Sequence, residues 1–476
     1  MHSILRPSLS ALSICLMSSL APDSMAMQTG GPCDRCLGET LPGRVEWLPD
    51  CRYRIDSDLP EMFTSSGVLY TTRTVLPPFR TKDGLDVSLE QRTQRNLGFS
   101  GIDDSFEVFL YHLNYAGVDS RDRRIVVYAH NPDQTAALIR VKSMIEAQGV
   151  MATADGPESR LAVRSLESDW DESKSLEIPG GHGRVIARTP TLSDPKADTS
   201  DPDRTSGDFV TGLVRGEVAT PGANKLELSV IAIPANTPME RIDEVAASML
   251  ETGATSAEEM DLNIAPPECH VRRVSGVSRH FLWRGEPRRI DVSTLGSQGL
   301  VWRNSKGESK SGPSGIAFLM AAPRVQTENC PQSRQTIDML MHPGYVHPET
   351  IGNYQTEYLV TFILENPSDR ERLVDVRFGK FDADIGLAWQ YEIGEGVKTR
   401  DELRAKRAQV QWAGAWRNDD LPDDTRSFFD STELGVAAKA GAVAIPAKSA
   451  RTVSLRFVPV GTSSMPFMLF IVPADD

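Results

Sequence analysis

Two methionines and two histidines fall within nine residues of the run Asp338-Met-Leu-Met-His-Pro-Gly-Tyr-Val-His-Pro-Glu349. Thioether and imidazole groups together suit copper or another transition metal, so Met339, Met341, His342 and His347 form a candidate metal set. The competing reading is that the methionines fill apolar gaps and that Pro343-Gly344 is simply a turn. A second candidate is the acidic run Asn418, Asp419, Asp420, Asp423 and Asp424, whose oxygens could hold calcium. Asp201, Asp203 and Asp208 form a weaker set of the same kind. Neither run has the spaced acids, glycine and final glutamate of a twelve-residue calcium loop, and a solvated acidic turn is the simpler account. A third candidate is aromatic: Trp389, Tyr391, Trp412 and Trp416 offer flat rings that stack on sugar faces, or else pack in a core.

Other chemistry leaves little trace. The sequence has no G-x-S-x-G elbow, H-E-x-x-H pair, P-loop or dinucleotide fingerprint. Ser314, in Gly312-Pro-Ser-Gly315, has no identifiable base. The balance of 65 acidic against 51 basic residues gives a net charge of −14. No clustered basic surface is visible, which argues against a nucleic-acid partner. No cofactor is expected beyond calcium at the acidic run.

The N-terminus reads as a secretory leader: Arg6, an apolar and small-residue run from Leu9 to Leu20, then Ser24-Met25-Ala26 as a cleavage signal. No later segment has the roughly 20 continuous apolar residues that span a bilayer. Cleavage would leave Cys33, Cys36, Cys51, Cys269 and Cys330. We expect one bridge among the first three and another joining Cys269 to Cys330. Cys33-Asp-Arg-Cys36 lies among Gly and Pro, a poor setting for the helix terminus that activates a redox pair.

The elements that would position these groups repeat. Arg124–Lys142 and Tyr358–Arg377 both carry a β-like apolar run ending in Asn-Pro, at Asn131-Pro132 and Asn366-Pro367. A leucine follows seven positions after each Asn (Leu138, Leu373), a β-branched residue after eight (Ile139, Val374) and a valine after ten (Val141, Val376). Ile178-Pro179 with Arg184 matches Ile445-Pro446 with Arg451. A third landmark aligns Val230–Asn236 with Leu469–Asp475.

Strand-like alternation, the period of two left by one buried sheet face, recurs from Val68 onward. It marks Phe106–Leu113, Leu226–Ile233, Arg272–Val277, His280–Arg284, Gly299–Arg303, Ile316–Met320, Val410–Trp416, Val443–Ile445, Val453–Val458 and Phe467–Val472. Asp382–Arg407 has little strand character, and Thr189–Gly207 reads as an exposed loop. One helix is expected after Thr237, with Pro238 in its first turn, Glu240 completing a capping box, and Ile242, Val245, Ala246 and Met249 on one face. Its place between the copies suggests a brace at the domain junction.

Phe106–Asn114, the Asn131-Pro132 hairpin, Arg273-Val-Ser-Gly-Val277, Gly352-Asn-Tyr354 with Tyr358, Gly414-Ala-Trp-Arg-Asn-Asp419 and the closing Ile445–Pro459 run resemble, as an ordered series, a family of exported proteins best known from cyanobacteria, a domain of unknown function. The resemblance extends from about residue 67 to the C-terminus. It implies export and a β-rich fold, and carries over no site residues.

The expectation is therefore a mainly β protein of two tandem duplicated antiparallel β-sandwich domains joined by a short helix. Its parts would be a leader (1–26), a cysteine-containing segment (27–60), a first sandwich (61–236), a helical connector (237–264) and a second sandwich (265–476). The expected role is non-enzymatic binding or scaffolding, secreted or periplasmic, with an envelope protein or polysaccharide as partner. The alternative is a polysaccharide-binding or polysaccharide-active protein, with metal dependence if one of the metal sets is real.

Overall fold

The computed structural model describes residues 47–49, 52–58, 62–63, 65–76, 86, 88–115, 122–147, 156–193, 206–219, 222, 224–252, 275–278, 282–285, 287–295, 299–303, 309–320, 339–344, 355–379, 385–394, 409–413, 437–459 and 467–474. In chain order the strands are β1 (Trp47–Pro49), β2 (Tyr53–Ser57), β3 (Met62–Phe63), β4 (Gly67–Thr71), β5 (Gln94–Asn96), β6 (Phe106–Tyr115), β7 (Arg123–His130), β8 (Ala137–Ala147), β9 (Lys174–Ile178), β10 (Gly183–Arg188), β11 (Ser206–Val218), β12 (Glu227–Pro234) and β13 (Ser275–Ser278). They continue with β14 (Leu282–Gly285), β15 (Arg288–Asp291), β16 (Gly299–Arg303), β17 (Ser309–Ser314), β18 (Ile316–Met320), β19 (Met341–Pro343), β20 (Glu357–Asn366), β21 (Arg372–Gly379), β22 (Ile385–Gly394), β23 (Gln409–Ala413), β24 (Ala437–Ile445), β25 (Ser449–Pro459) and β26 (Phe467–Pro473). The helices are α1 (Leu89–Arg92), α2 (Pro157–Glu167) and α3 (Ile242–Thr252). The protein is mainly β.

Alternation decides which face of each strand is buried. On β8, Ala137, Ile139 and Val141 are buried while Leu138 and Arg140 are exposed. These inward residues join Ile55 of β2, Val108 and Leu110 of β6, Val210 and Val214 of β11, and Val277 of β13 in one core with Leu69, Ile125, Val127, Leu228 and Val230 of the facing sheet. The first sandwich is thus a nine-stranded sheet, in the order β5-β19-β13-β2-β6-β11-β8-β9 with β3 beside β6, over a four-stranded sheet β10-β7-β12-β4. β7 is nearly all buried, because its second face is covered by α3: Ile242 and Ala246 pack with Val68, Val126, Tyr128, Ile231 and Ile233.

The second pair of sheets is seven-stranded, in the order β1-β14-β20-β25-β22-β23 with β15 beside β20, and four-stranded, β18-β26-β21-β24. Tyr358, Val360, Phe362 and Leu364 of β20, Val453, Leu455 and Phe457 of β25, Val374 and Val376 of β21, Val443 and Ile445 of β24, and Leu469 and Ile471 of β26 are all buried. β16 and β17 form a separate hairpin.

Several expectations change. The pairing is not wholly antiparallel: β2 and β3 run parallel to β6, and β14 and β15 run parallel to β20. The sheets also ignore the expected boundaries at 60 and 265. β2, placed by sequence in an N-terminal appendage, lies inside the nine-stranded sheet between β13 and β6. β13 and β19 come from the second half yet belong to that same sheet, while β1 pairs with β14 in the seven-stranded sheet. Each sheet therefore recruits strands from distant sequence, and local pattern cannot encode that partner choice.

β22 is a ten-residue strand inside the stretch expected to lack one, where Gly and acids interrupt the apolar pattern. Asp208 lies within β11, buried, its carboxylate accepting from the Ser193 amide at 2.8 Å, rather than on an open loop. α3 buries its Ile242–Ala246 face as expected, but it covers the outer face of the four-stranded sheet instead of the junction. No side chain caps the 3-10 turn that leads into it, so the expected Thr237 box does not form.

The third landmark also moves. β12 pairs with β7, whereas β26 pairs with β21, the strand that follows the second Asn-Pro turn as β8 follows the first. In its neighbour β26 resembles β11 instead, since the Ala219 amide donates to the Leu138 carbonyl at 2.9 Å and the Ala474 amide to the Leu373 carbonyl at 3.0 Å.

Candidate functional site at the seam between the sandwiches

The outward face of the nine-stranded sheet carries charge where an ordinary sandwich would meet water, and most of that charge is buried. Register places Ser278, Arg54, Glu107, Arg215 and Lys142 in one row across β13, β2, β6, β11 and β8. Glu107 accepts from Arg54 at 3.0 Å and from Arg215 at 2.6 Å, and Arg54 Nε donates to Asp56 at 2.7 Å. The Arg54 guanidinium also lies 5.0 Å from the Phe109 ring centroid. At the end of the row the Trp170 indole sits over both cations, 4.5 Å from Arg215 and 4.8 Å from Lys142.

Burial works against the Arg54 guanidinium, but Asp56 and Glu107 outweigh it and hold the charged form more firmly than water would. Burial pushes the Asp56 carboxyl up, with Arg54 pulling the other way and Glu107 adding repulsion. Such a row adds little net stability once desolvation is counted. It does fix register: a one-residue slip of β2, β6 or β11 would turn Arg54, Glu107 or Arg215 into the apolar core.

α2 lies on this face. Leu161 packs with Phe109, Tyr111, Leu113, Met144, Phe209 and Leu213, and the helix touches β8 and β11 on one side and β22, β23 and β25 on the other. Residues of the second sandwich hold its two ends. Gln355 Nε2 donates to the Glu158 carbonyl at 3.1 Å in the first turn. In the last turn Arg456 donates to the Ser165 carbonyl at 3.1 Å and to the Leu166 carbonyl, while its Nε bonds Glu357 at 2.5 Å. A helix C-terminus leaves carbonyls unpaired at the negative end of its dipole, so a buried guanidinium is well matched there.

Two further groupings resemble catalytic parts. Ser57 Oγ and His112 Nε2 are 3.0 Å apart, the geometry of a nucleophile and its base, but both residues are fully buried. The contact satisfies interior polar groups. The second grouping is half-exposed: His130 Nδ1 and Arg73 Nε each lie 3.0 Å from Glu227 Oε2. The hydrogen bond from His130, followed by the charge of Arg73, holds the Glu227 carboxyl below its ordinary range against the opposing effect of burial.

The residues singled out by sequence fall elsewhere. His342 is buried on β19, with Nδ1 2.8 Å from the Pro343 carbonyl, and Met339 and Met341 are buried, Met341 within the first core. This matches the gap-filling reading of the methionines. Trp389 and Tyr391 lie two positions apart on β22 and share a face, whereas Trp412, opposite Gly386 on β23, falls on the other face, so the edge of the seven-stranded sheet carries these three aromatics without joining them in one strip. Trp416, His347, the acidic run Asn418, Asp419, Asp420, Asp423 and Asp424, and Cys33, Cys36, Cys51, Cys269 and Cys330 lie outside the described residues. Among the described residues no group of three or more His, Cys, Asp or Glu is placed to hold a metal ion, and no helix is long and apolar enough to cross a membrane.

Sequence reasoning missed the seam. Its signals were present: Glu107 is a lone acid in the apolar run Phe106–Leu113, and Pro157 opens a segment with Leu161, Ala162 and Leu166 at helical spacing.

No family model matches the chain, and no curated protein matches it. Among solved structures it is similar to the cryo-EM structure of Broad Bean Stain Virus at 10% identity and a TM-score of 0.14, over 87% of this chain and 90% of that one. It is also similar to Fet3p, a multicopper oxidase that functions in iron import, at 11% identity and a TM-score of 0.11, over 88% of this chain and 62% of that one. At such scores neither likeness bears on fold or function.

Proposed function

We propose that the chain is an exported, non-enzymatic binding or scaffolding protein of the cell envelope or extracellular space, acting on a protein or polysaccharide of that compartment. The observation that carries this reading is where the charge is used. Arg54, Asp56, Glu107, Arg215, Glu357 and Arg456 are spent on holding sheets and α2 together, and strands from each half complete sheets of the other. Such an interlock suits a rigid unit that presents a surface. The matched Asn-Pro turns support treating the two sandwiches as duplicated units, and the resemblance to an exported family belongs to the same proposal.

A second reading, polysaccharide recognition, rests on Trp412 of the edge strand β23, with Trp389 and Tyr391 on the opposite face of β22. One experiment addresses both. The full mature chain is applied to a glycan array, with separate readouts for retained ligand and released fragments. Retention without cleavage, weakened by Trp412→Ala, is the result expected of polysaccharide recognition. Fragment release would overturn the non-enzymatic reading, and no retention would leave a protein partner as the remaining form of the scaffold.

A further inference from the structure

We propose that α2 is an openable wedge: a helix that leaves its seat between the sandwiches as a separate unit, while both sandwiches stay folded, and so uncovers an aromatic face. This goes beyond the scaffolding role and does not depend on it.

Its hold is of an unusual kind. α2 has eleven residues, a length at which an isolated helix is marginal in water. Its buried apolar side chains in the helix body are only Leu161, Ala162 and Leu166. The second sandwich grips its backbone carbonyls, through Gln355 at Glu158 and Arg456 at Ser165 and Leu166. The strands beneath belong to continuous ladders, β6 to β11 to β8, that do not pass through the helix.

Left-handed backbone occurs in contact with both ends of the same helix. Three non-glycine residues in the described chain have positive φ, and two of them bound α2: Ser168 at 58°, directly after its last turn, and Gln355 at 54°, gripping its first. Ser168 ends the helix with its own amide and that of Asp169 donating to the Ser165 and Arg164 carbonyls. Gln355 is buried, and its Oε1 has no hydrogen-bond partner among the described residues. At Ser168 the left-handed backbone is the ordinary ending of a helix, whereas at Gln355 it costs about 1–3 kcal/mol and is held by the surroundings. When the wedge leaves, Gln355 is free to relax, and the face bearing Phe109, Tyr111, Phe209 and Leu213 beside the Arg54–Glu107–Arg215 row becomes accessible.

The test is native-state hydrogen exchange on the full chain, with α2 amides compared against those of β6, β11 and β25 after correction for intrinsic rates. The expected result is that residues 160–167 exchange about a hundredfold or more faster than the sheet amides, with a measurable urea dependence that is smaller than that of the sheet amides, as an opening that exposes one buried face requires. Gln355→Ala, which removes the grip on Glu158, should speed α2 exchange by about tenfold and leave β6 and β11 unchanged. Exchange of α2 as slow as β6 and β11, or acceleration of all three together in the variant, would show that the helix opens only with the whole molecule and would overturn the proposal.

Discussion

The two Asn-Pro turns are almost the same object, and neither is the hairpin the sequence suggests: each carries the chain from one sheet to another, β7 to β8 and β20 to β21. Asn131 donates to the Thr135 carbonyl four residues on at 2.8 Å and to the Ile178 carbonyl at 3.0 Å, and its side-chain oxygen accepts from the Asp133 amide at 3.2 Å. Asn366 donates to Arg370 at 2.8 Å, to Ile445 at 2.9 Å and to Pro446 at 3.1 Å, and accepts from Ser368 at 3.1 Å. In the partner turns, the Gly181 amide donates to the Asp133 carbonyl and the Lys448 amide to the Ser368 carbonyl. Even the outward leucines match, with Leu138 51% and Leu373 45% exposed. The flanks differ: β7 has antiparallel neighbours on both sides, while β20 has antiparallel β25 on one side and parallel β14 and β15 on the other. A buried amide that satisfies two chain segments makes the knot self-contained, and that independence lets unlike strands be added around it.

The strongest way to break this comparison is to change the amide itself. Asn131→Asp and Asn366→Asp keep size and acceptor but remove both N–H donors and bury a carboxylate. Each should destabilise by about 3–5 kcal/mol, since buried carbonyls lose their donors and a charge lacks a partner. Urea titration should give losses that agree within about 1 kcal/mol, the scatter expected of equivalent contacts. A large loss at one turn and none at the other would show that the matched geometry does not carry matched energetics.

The next test exploits a crowded position. At Gly180 an added Cβ would fall 2.3 Å from the Gln134 carbonyl oxygen and 2.7 Å from that of Asp133. The equivalent position in the second turn is already alanine, Ala447, and exposed. Gly180→Ala should therefore cost about 1–3 kcal/mol through forced backbone movement, while Ala447→Gly should change stability by well under that amount. Equal effects in the two turns would mean that the approach at Gly180 relaxes freely.

These turns were also the most legible part of the sequence in position, though not in their sheet-to-sheet course, and the reason is physical. Asn-Pro, the alternation after it and the later Ile-Pro are local signals, and the Asn side chain joins the two signals directly. The third landmark misled because an apolar run ending in Pro-Ala marks the end of any buried strand and says nothing about its neighbour. β12 and β26 share the pattern and sit in non-equivalent sheets. The exchange of β13, β19 and β1 was illegible for the same reason, since pairing across more than two hundred residues is a tertiary choice. At the seam, Arg54, Glu107 and Arg456 read as ordinary surface charges until the sheets that bury them are known.

The residue before each Asn offers a smaller contrast. His130 faces Glu227 across antiparallel β12, while Glu365 pairs with Arg289 near parallel β15. The Glu227 carboxyl is held low in the folded state, so its contribution is present above the ordinary glutamate value near about 4.3 and is lost as pH falls through the lower folded value. Asp56 has the opposite sign: its raised carboxyl favours the folded state most when protonated, and that contribution is lost as pH rises from the ordinary value toward the raised one. Glu227→Gln should flatten the acid limb of a stability–pH curve by up to about 1 kcal/mol, given that its partners are partly exposed. Glu365→Gln should change stability by no more than a few tenths of a kcal/mol, about the worth of an exposed pair, because Arg289 is 70% exposed. A steeper acid loss in the Glu227 variant would reverse the assigned direction.

The smallest expected effect lies in the turns themselves. Gly181 has φ of 72° and Lys448 φ of 54°, so the second turn places a lysine where the first has glycine. No atom lies within 4 Å of a Cβ built on Gly181, so the penalty for a side chain there is purely conformational. Gly181→Ala should cost about 1 kcal/mol on that ground, less the gain from stiffening the unfolded chain. Lys448→Gly relieves the same strain but gives up the Nζ contacts to the Pro367 carbonyl at 2.7 Å and to Asp369 at 3.0 Å. Both Lys448 and Asp369 are well exposed there, so those contacts are worth little. The net change should be a stabilisation of no more than about 0.5 kcal/mol, measurable as a small rise in Tm at unchanged denaturant slope. A clear destabilisation by Lys448→Gly would mean that the lysine, reaching back across the Asn366 loop, supplies in the second knot a tie that the first knot does without.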